Sequence, residues 1–257
     1  VLADLTAGAL ADASERRAGR SLRVVEAAAI ARPAALDALA ALAPEDRVKI
    51  IAEIKRSSPS RGALADIADP AALAVSYETG GASAISVLTE GRQFGGSLAD
   101  LESVRESVSI PVLRKDFIAE PYQVFEARAA GADIVLLIVA ALEQPRLVEL
   151  HALIAQLGMT ALVETHDAEE VARALDLGAG LLGVNARNLS TFELDRDLFG
   201  SLADQIPSGV IRVAESAVQS AADVAHYRSA GADVVLVGEA LVTGDPITTL
   251  HEFLAAS

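Results

Sequence analysis

Three of the 257 residues are lysines, Lys49, Lys55 and Lys115, although Lys and Arg together number 21. Lys55 and Lys115 stand at the polar ends of short apolar runs, and three glutamates do the same. One run leads into Glu53 and Lys55, one into Arg114 and Lys115, one into Glu164, one into Asn185, and one into Glu215 and Ser216. A lysine beside carboxylates can act as a general acid and a carboxylate as a base, and their proximity shifts both pKa values. Side chains alternate along a strand, so Ile51, Glu53 and Lys55 share one face. Leu113 shares a face with Lys115, Leu162 with Glu164, and Val213 with Glu215. Taken singly, each charge reads equally well as a member of a structural ion-pair ring, because a buried charge is costly unless paired. Five of them at one end of the runs favour an active site.

Weaker features surround these five. Residues 57–62 (SSPSRG) form a polar, turn-rich loop after the first run. Ser216 and Gly238 follow the seventh and eighth runs, where backbone N–H groups and a helix N-terminus can meet a phosphate. His166 lies two residues past Glu164 and can face the same way. No second His or Asp sits at metal-ligand spacing, so no metal is expected. His151, His226 and His251 fall in helical segments and read as surface residues. Phe94 and Phe117 lie just past the second and third runs, as core residues or as a platform for a substrate.

The elements that must position these groups recur along the chain. Apolar, β-branched runs occupy residues 49–54, 84–88, 111–113, 134–138, 160–163, 181–184, 210–213 and 234–237. Helical patterns lie between them, clearest at 121–130, 143–157, 168–177 and 221–230. Asp167 with Glu170 has the spacing of a capping box. Gly131, Gly158, Gly178 and Gly231 stand where helices should stop, and a junction beginning at Gly80, Gly131, Gly178 or Gly231 leads into a strand. Strands apolar on both faces that alternate with helices predict a parallel sheet covered by helices. Eight such units predict a closed (β/α)8 TIM barrel, with its active site at the C-terminal strand ends. Inside it, layers draw side chains from alternate strands, so Glu53, Lys115, Glu164 and Glu215 fit one layer. A doubly wound open sheet is the alternative, but no Gly-x-Gly-x-x-Gly follows the first strand. Residues 1–47 differ, with helical stretches at 2–18, 22–31 and 34–43. We expect one domain over 1–257: 1–47 as a helical extension and 48–257 as the barrel.

Composition bounds the function. A 52% hydrophobic fraction supports a sizeable core, and the chain has no cysteine, which excludes disulfides, Cys-ligated metals and a Cys nucleophile. The net charge of −15 argues against nucleic acid as a partner. No apolar run spans a bilayer, so no membrane partner is expected and a cytoplasmic location is. The sequence does not set the oligomeric state.

Six segments in order resemble the signatures of the indole-3-glycerol phosphate synthase family: 51–60 (IAEIKRSSPS), 111–117 (PVLRKDF), 161–164 (ALVE), 183–189 (GVNARNL), 214–216 (AES) and 235–238 (VLVG). They run in order from the first strand to the eighth, and 1–47 resembles the family's extension over the barrel mouth. The resemblance implies an enzyme of tryptophan biosynthesis without cofactor or metal. Its substrate would be 1-(2-carboxyphenylamino)-1-deoxyribulose 5-phosphate and its products indole-3-glycerol phosphate, CO2 and water. By the same resemblance Lys115 is the general acid of ring closure. Glu164 stabilises the cationic intermediate and acts as base. Lys55 holds the substrate carboxylate and acts as an acid in dehydration, and Glu53 orients the lysines. Asn185 and Glu215 bind sugar hydroxyls and the reacting centre, with Arg187 in the same site. Ser58 and Ser60 contribute from the first loop. Phe94, Phe117, Leu136 and Leu189 line the aryl pocket. Ser216, Ala217, Gly238 and Glu239 bind the phosphate.

One departure stands out: the family usually has Glu-Ser-Gly after strand seven, and here Ala217 replaces the glycine. A helical φ at this position makes the change harmless, and that is the expectation; a positive φ would strain it. Two other readings remain. One is a Schiff-base barrel using Lys55 or Lys115; the other is a barrel that binds phosphorylated metabolites without turnover. Phosphoribosyl anthranilate isomerase is similar in fold, but that family uses a Cys base, which this chain lacks.

Overall fold

The computed structural model describes residues 1–59, 61–188 and 191–256. Eight parallel strands close into a barrel: β1 (Lys49–Ile54), β2 (Ala84–Leu88), β3 (Val112–Lys115), β4 (Ile134–Ile138), β5 (Thr160–Thr165), β6 (Leu181–Asn185), β7 (Ile211–Glu215) and β8 (Val234–Val237). Each strand pairs with its sequence neighbours, and β8 returns to β1. The helices preceding the barrel are α1 (Leu2–Gly19), α2 (Leu22–Ala31) and α3 (Ala38–Ala41). Those between strands are α4 (Pro70–Thr79), α5 (Leu98–Ser107), α6 (Pro121–Ala130), α7 (Gln144–Gln156), α8 (Ala168–Asp176), α9 (Leu198–Ala203) and α10 (Ala221–Ser229). After β8 come α11 (Glu239–Val242) and α12 (Pro246–Ala255). No described helix is long and apolar enough to cross a membrane.

Strand alternation divides the core in two. Ile51, Leu113, Leu162 and Val213 fill the barrel interior, while Ile50, Ala52, Ile85 and Val135 pack outward against the helices. Both faces are therefore apolar, as a covered parallel sheet requires. Four strands extend past the ends expected from their apolar runs. The ladder continues through the polar residues, pairing Leu88 with Lys115, Ile138 with Glu164, and Asn185 with Glu215. Hydropathy marks the core, whereas pairing continues as long as a neighbour offers backbone groups.

Helix ends follow their local chemistry. Asp69, Ser97 and Asp167 each accept a hydrogen bond from the third backbone N–H of the helix that follows. The expected capping box at α8 is only half made. Asp167 accepts from Glu170 N, but the Glu170 carboxylate accepts instead from His166 N at 2.8 Å. Gly131, Gly158, Gly178 and Gly231 all have positive φ, as expected for helix stops.

The extension runs the length of the barrel. Helix α1 covers the mouth, where Leu5 lines the cleft described below and Arg92 clamps Asp12. Helix α2 lies in a cluster with Tyr122 and Ala129 of α6. The segment expected as helix over 34–43 is helical only at Ala38–Ala41. Its first residues are extended because Leu36 N donates to Asp133 Oδ1 at 2.8 Å, just before β4. Ala38 and Leu42 are fully buried and close the opposite, N-terminal end of the barrel.

Candidate active site

The charges at the strand ends converge. Lys115 Nζ donates to Glu164 Oε2 at 3.0 Å and to Glu215 Oε2 through a shorter contact. Lys55 Nζ lies 2.7 Å from Glu53 Oε1, and Ser86 Oγ donates to Glu53 Oε2 at 3.3 Å. Glu53, Glu164 and Glu215 are buried, at 3%, 1% and 2% exposure, so their ionisation depends on these partners. Burial alone would depress Lys115, but Glu164, Glu215 and Glu53 outweigh it and raise its pKa above the ordinary lysine value. Burial pushes Glu164 up, yet Lys115, His166 and Asn185 hold it well below the carboxylate range. Glu215 is raised, by burial first and by Glu164 as well, against the pull of Lys115. One ammonium thus serves two carboxylates, and their pKa values part in opposite directions.

Asn185 links this cluster to the next loop. Its Nδ2 donates to Glu164 Oε1 at 3.1 Å. Its Oδ1 accepts from Ser216 Oγ at 2.7 Å and from Arg187 N at 3.0 Å. The Arg187 side chain donates to the Phe192 carbonyl at 3.1 Å. Ser216 and Ala217 have φ of 68° and 63°. The expectation of a helical φ at Ala217 is therefore wrong. After β7 the chain doubles back so that Ser216 reaches Asn185, and that reversal uses two left-handed residues where glycine would be unstrained.

A cleft open to solvent lies over the cluster. Ser58, Phe94, Phe117, Leu136 and Arg187 line it with the charged residues, and Ser216, Ala217, Gly238 and Glu239 line its other end. The Phe94 and Phe117 rings are 6.2 Å apart and tilted. Glu239 also pairs with Arg61 at 2.9 Å. Ser60 and Leu189 lie outside the described residues. His166 does face Glu164, with Nε2 3.4 Å from Oε1. Among the described residues no group of three or more His, Asp or Glu side chains is arranged to hold a metal ion.

Several positioning residues escaped the sequence reading. Arg114, fully buried on the outer face of β3, donates to Thr89 Oγ1, the Gln123 carbonyl and Asp116 Oδ2. Asp116 Oδ1 in turn accepts from Phe117 N at 2.8 Å. This network anchors the strand end that carries Lys115 and Phe117. Glu90 accepts from the backbone N–H groups of Arg92, Gln93 and Phe94 and shapes the loop bearing Phe94. Gly183 leaves space for Glu215: a Cβ there would lie 2.1 Å from Glu215 Oε1. Likewise, a Cβ on Gly238 would lie 2.8 Å from Glu53 Oε1 and 3.2 Å from Lys55 Nζ. Alternation signalled none of the outward residues, because an outward charge in a strand reads as solvent-exposed. The glycines carry no side chain to flag.

A family model described as indole-3-glycerol phosphate synthase matches residues 2–253. The indole-3-glycerol phosphate synthase of Leifsonia xyli subsp. xyli is 75% identical over 253 residues, covering 98% of this chain and 97% of that one. Those of Beutenbergia cavernae and Mycobacteroides abscessus are each 58% identical over 257 residues, covering 100% of this chain and 95% and 94% of theirs. Among solved structures, 3-hexulose-6-phosphate synthase from Salmonella typhimurium superposes with a TM-score of 0.66 at 15% identity. It covers 81% of this chain and 98% of that one, a likeness of fold alone.

Proposed function

The chain belongs to the indole-3-glycerol phosphate synthase family, and from that premise we propose how the residues of its mouth divide the reaction. The enzyme converts 1-(2-carboxyphenylamino)-1-deoxyribulose 5-phosphate to indole-3-glycerol phosphate, CO2 and water, a step of tryptophan biosynthesis. The observation that carries the division of labour is the clamp of Glu164 and Glu215 on Lys115, facing the Lys55–Glu53 pair.

The aryl ring lies against Phe94, Phe117 and Leu136, and the phosphate meets the backbone N–H groups of Ser216, Ala217, Gly238 and Glu239. An ammonium has three N–H groups. Two of those on Lys115 are engaged by carboxylates, and the third serves the substrate ketone. As the ring carbon attacks, that oxygen takes a proton from Lys115 and becomes a hydroxyl. Glu164 lies on the same ammonium, so its negative charge stabilises the cation that forms on the substrate. In the last step it takes a proton from the methylene carbon next to the amine nitrogen, so that the new five-membered ring becomes aromatic as the hydroxyl leaves. Lys55 holds the aryl carboxylate until the C–C bond breaks and CO2 leaves. Leu5 and the two phenylalanines keep that carboxylate away from water, which favours its loss. Lys55, freed of the carboxylate, protonates the departing hydroxyl, and loss of that water completes the product. The same reading makes this a cytoplasmic enzyme acting on a free phosphorylated metabolite.

A Schiff base needs a neutral amine, and three carboxylates around Lys115 oppose that. We expect the purified chain to form indole-3-glycerol phosphate from the stated substrate, followed by absorbance or fluorescence. Borohydride in the presence of substrate should leave no adduct. A trapped lysine adduct would overturn the acid–base reading, and binding without turnover would reduce the barrel to a binding protein.

A further inference from the structure

His166 is a partly buried titratable group to which the scheme above gives no task. Strand β5 carries Glu164 into the mouth, and Thr165 turns outward, its Oγ1 donating to the Gly183 carbonyl at 2.9 Å. His166 therefore falls back on the side of Glu164. Glu170, one turn into α8, holds it twice through one oxygen: Oε2 accepts from His166 N at 2.8 Å and lies 3.0 Å from ring Nδ1. This fixes the plane of the ring. Nε2 then points at Glu164 Oε1, 3.4 Å away, and has no hydrogen-bond partner among the described residues.

We infer that His166 is a positioning residue: its imidazolium, oriented by Glu170, keeps Glu164 ionised and in place while Lys115 gives up its proton. This rests on the roles proposed above for Glu164 and Lys115. In the resting site Glu164 Oε2 takes Lys115, and Oε1 takes Asn185 Nδ2 and faces His166. When Lys115 transfers its proton it becomes a neutral amine. Glu164 then loses its principal counter-charge at the moment its own charge must stabilise the substrate cation. A second cation behind it, outside the reaction, prevents that collapse.

The ionisable groups that act on the ring are Glu164 from β5 and Glu170 from α8. Lys115 lies across Glu164 on the other oxygen, and Asn185 from β6 is neutral. Arg173, on the same helix as Glu170, is turned to the carbonyls of Val139 and Leu142. Burial lowers the imidazole pKa, but the nearby carboxylates of Glu164 and Glu170 outweigh it and push it up to about 10.

The test is His166→Asn in the full chain, with Glu170→Gln as a second variant in case the first fails to fold. Removing a neighbouring cation raises a carboxylate pKa. The acidic limb of the pH profile of kcat/KM should therefore move up by about one pH unit in His166→Asn and by less in Glu170→Gln. At neutral pH, kcat should fall roughly tenfold, the effect of about one pKa unit, with KM little changed. Independently of turnover, ring-nitrogen NMR of the substrate-free enzyme should show His166 protonated through pH 8. The ring should become less basic in Glu164→Gln and in Glu170→Gln. A merely structural histidine would lower thermal stability and leave the acidic limb where it was. That result, or His166 losing its proton below pH 8, overturns the inference. If Glu164→Gln leaves turnover unchanged, the role of Glu164 is what fails, and the NMR result still reports the His166–Glu164 contact.

Discussion

At the scale of single residues, the mouth is organised by competition for few cations. Lys115 is shared by two buried carboxylates, so removing it leaves both without their main partner. Lys115→Ala should lower kcat by ~10²–10⁴-fold, the usual contribution of a general acid, with a smaller change in KM. Arginine should not rescue it, because its pKa is too high for proton donation near neutrality. Steady-state kinetics on both variants checks this, and wild-type kcat in either would remove Lys115 from its role. A residue with no functional group is held to be as important. In Gly183→Ala the new methyl would sit 2.1 Å from Glu215 Oε1 and must push that carboxylate off Lys115. We expect at least a roughly tenfold loss of kcat in the otherwise native enzyme, and little further loss when Glu215 is already alanine. A double-mutant cycle measures this coupling; additive losses would mean that Gly183 acts elsewhere.

At the scale of elements, the loop after β7 holds two of the three non-glycine residues with positive φ among the described residues, the third being Phe192 after β6. An L-residue in the left-handed region costs ~1–2 kcal/mol, and Ser216 and Ala217 both lie there. Ala217→Gly relieves that strain, but it adds ~0.4–1 kcal/mol of unfolded-state entropy. It also removes a buried methyl group worth ~0.8 kcal/mol. These terms nearly cancel, so the stability change should stay within about 1 kcal/mol. Glycine takes the same φ and keeps the backbone N–H in place, so inhibition by inorganic phosphate should be unchanged. Thermal melts and phosphate inhibition of the two proteins decide the matter. Tighter phosphate binding in Ala217→Gly would show that the free loop differs from the one described.

At the scale of the whole molecule, the site sets how stability depends on pH. Glu164 has a depressed folded pKa, so its contribution is present above its unfolded pKa, ~4.3, and is lost as pH falls below that. His166 and Glu215 are both raised. Their contributions are complete below their unfolded values, ~6.5 and ~4.3, and are lost as pH rises through the folded ones. For His166 the window runs from ~6.5 to about 10. The net charge of −15 adds self-repulsion in the same direction. Thermal stability should therefore peak on the acid side of neutrality and decline toward pH 9. His166→Asn should flatten part of that decline. A melting temperature that rises from pH 6 to 9 would contradict this picture.

The sequence by itself determined the barrel and the identity of its reactive groups. Both follow from local regularities. Residues alternating along a strand place Glu53, Lys115, Glu164 and Glu215 on one face, and repeated strand–helix units leave a closed parallel sheet as the natural cover for both faces. Only the tertiary structure decided who pairs with whom. Lys115 bonds to Glu164 and Glu215 because β3, β5 and β7 converge across the barrel, an encounter between residues 49 and 100 positions apart. The same holds for Arg114, whose partners come from α6 and from the residues just past β2 and its own strand, and for α3 closing the far end of the barrel. The positive φ at Ala217 was also beyond local reading, since it depends on the reach of Ser216 to Asn185 on the neighbouring strand. Periodicity reports which face a side chain takes; distance across the fold decides what it meets there.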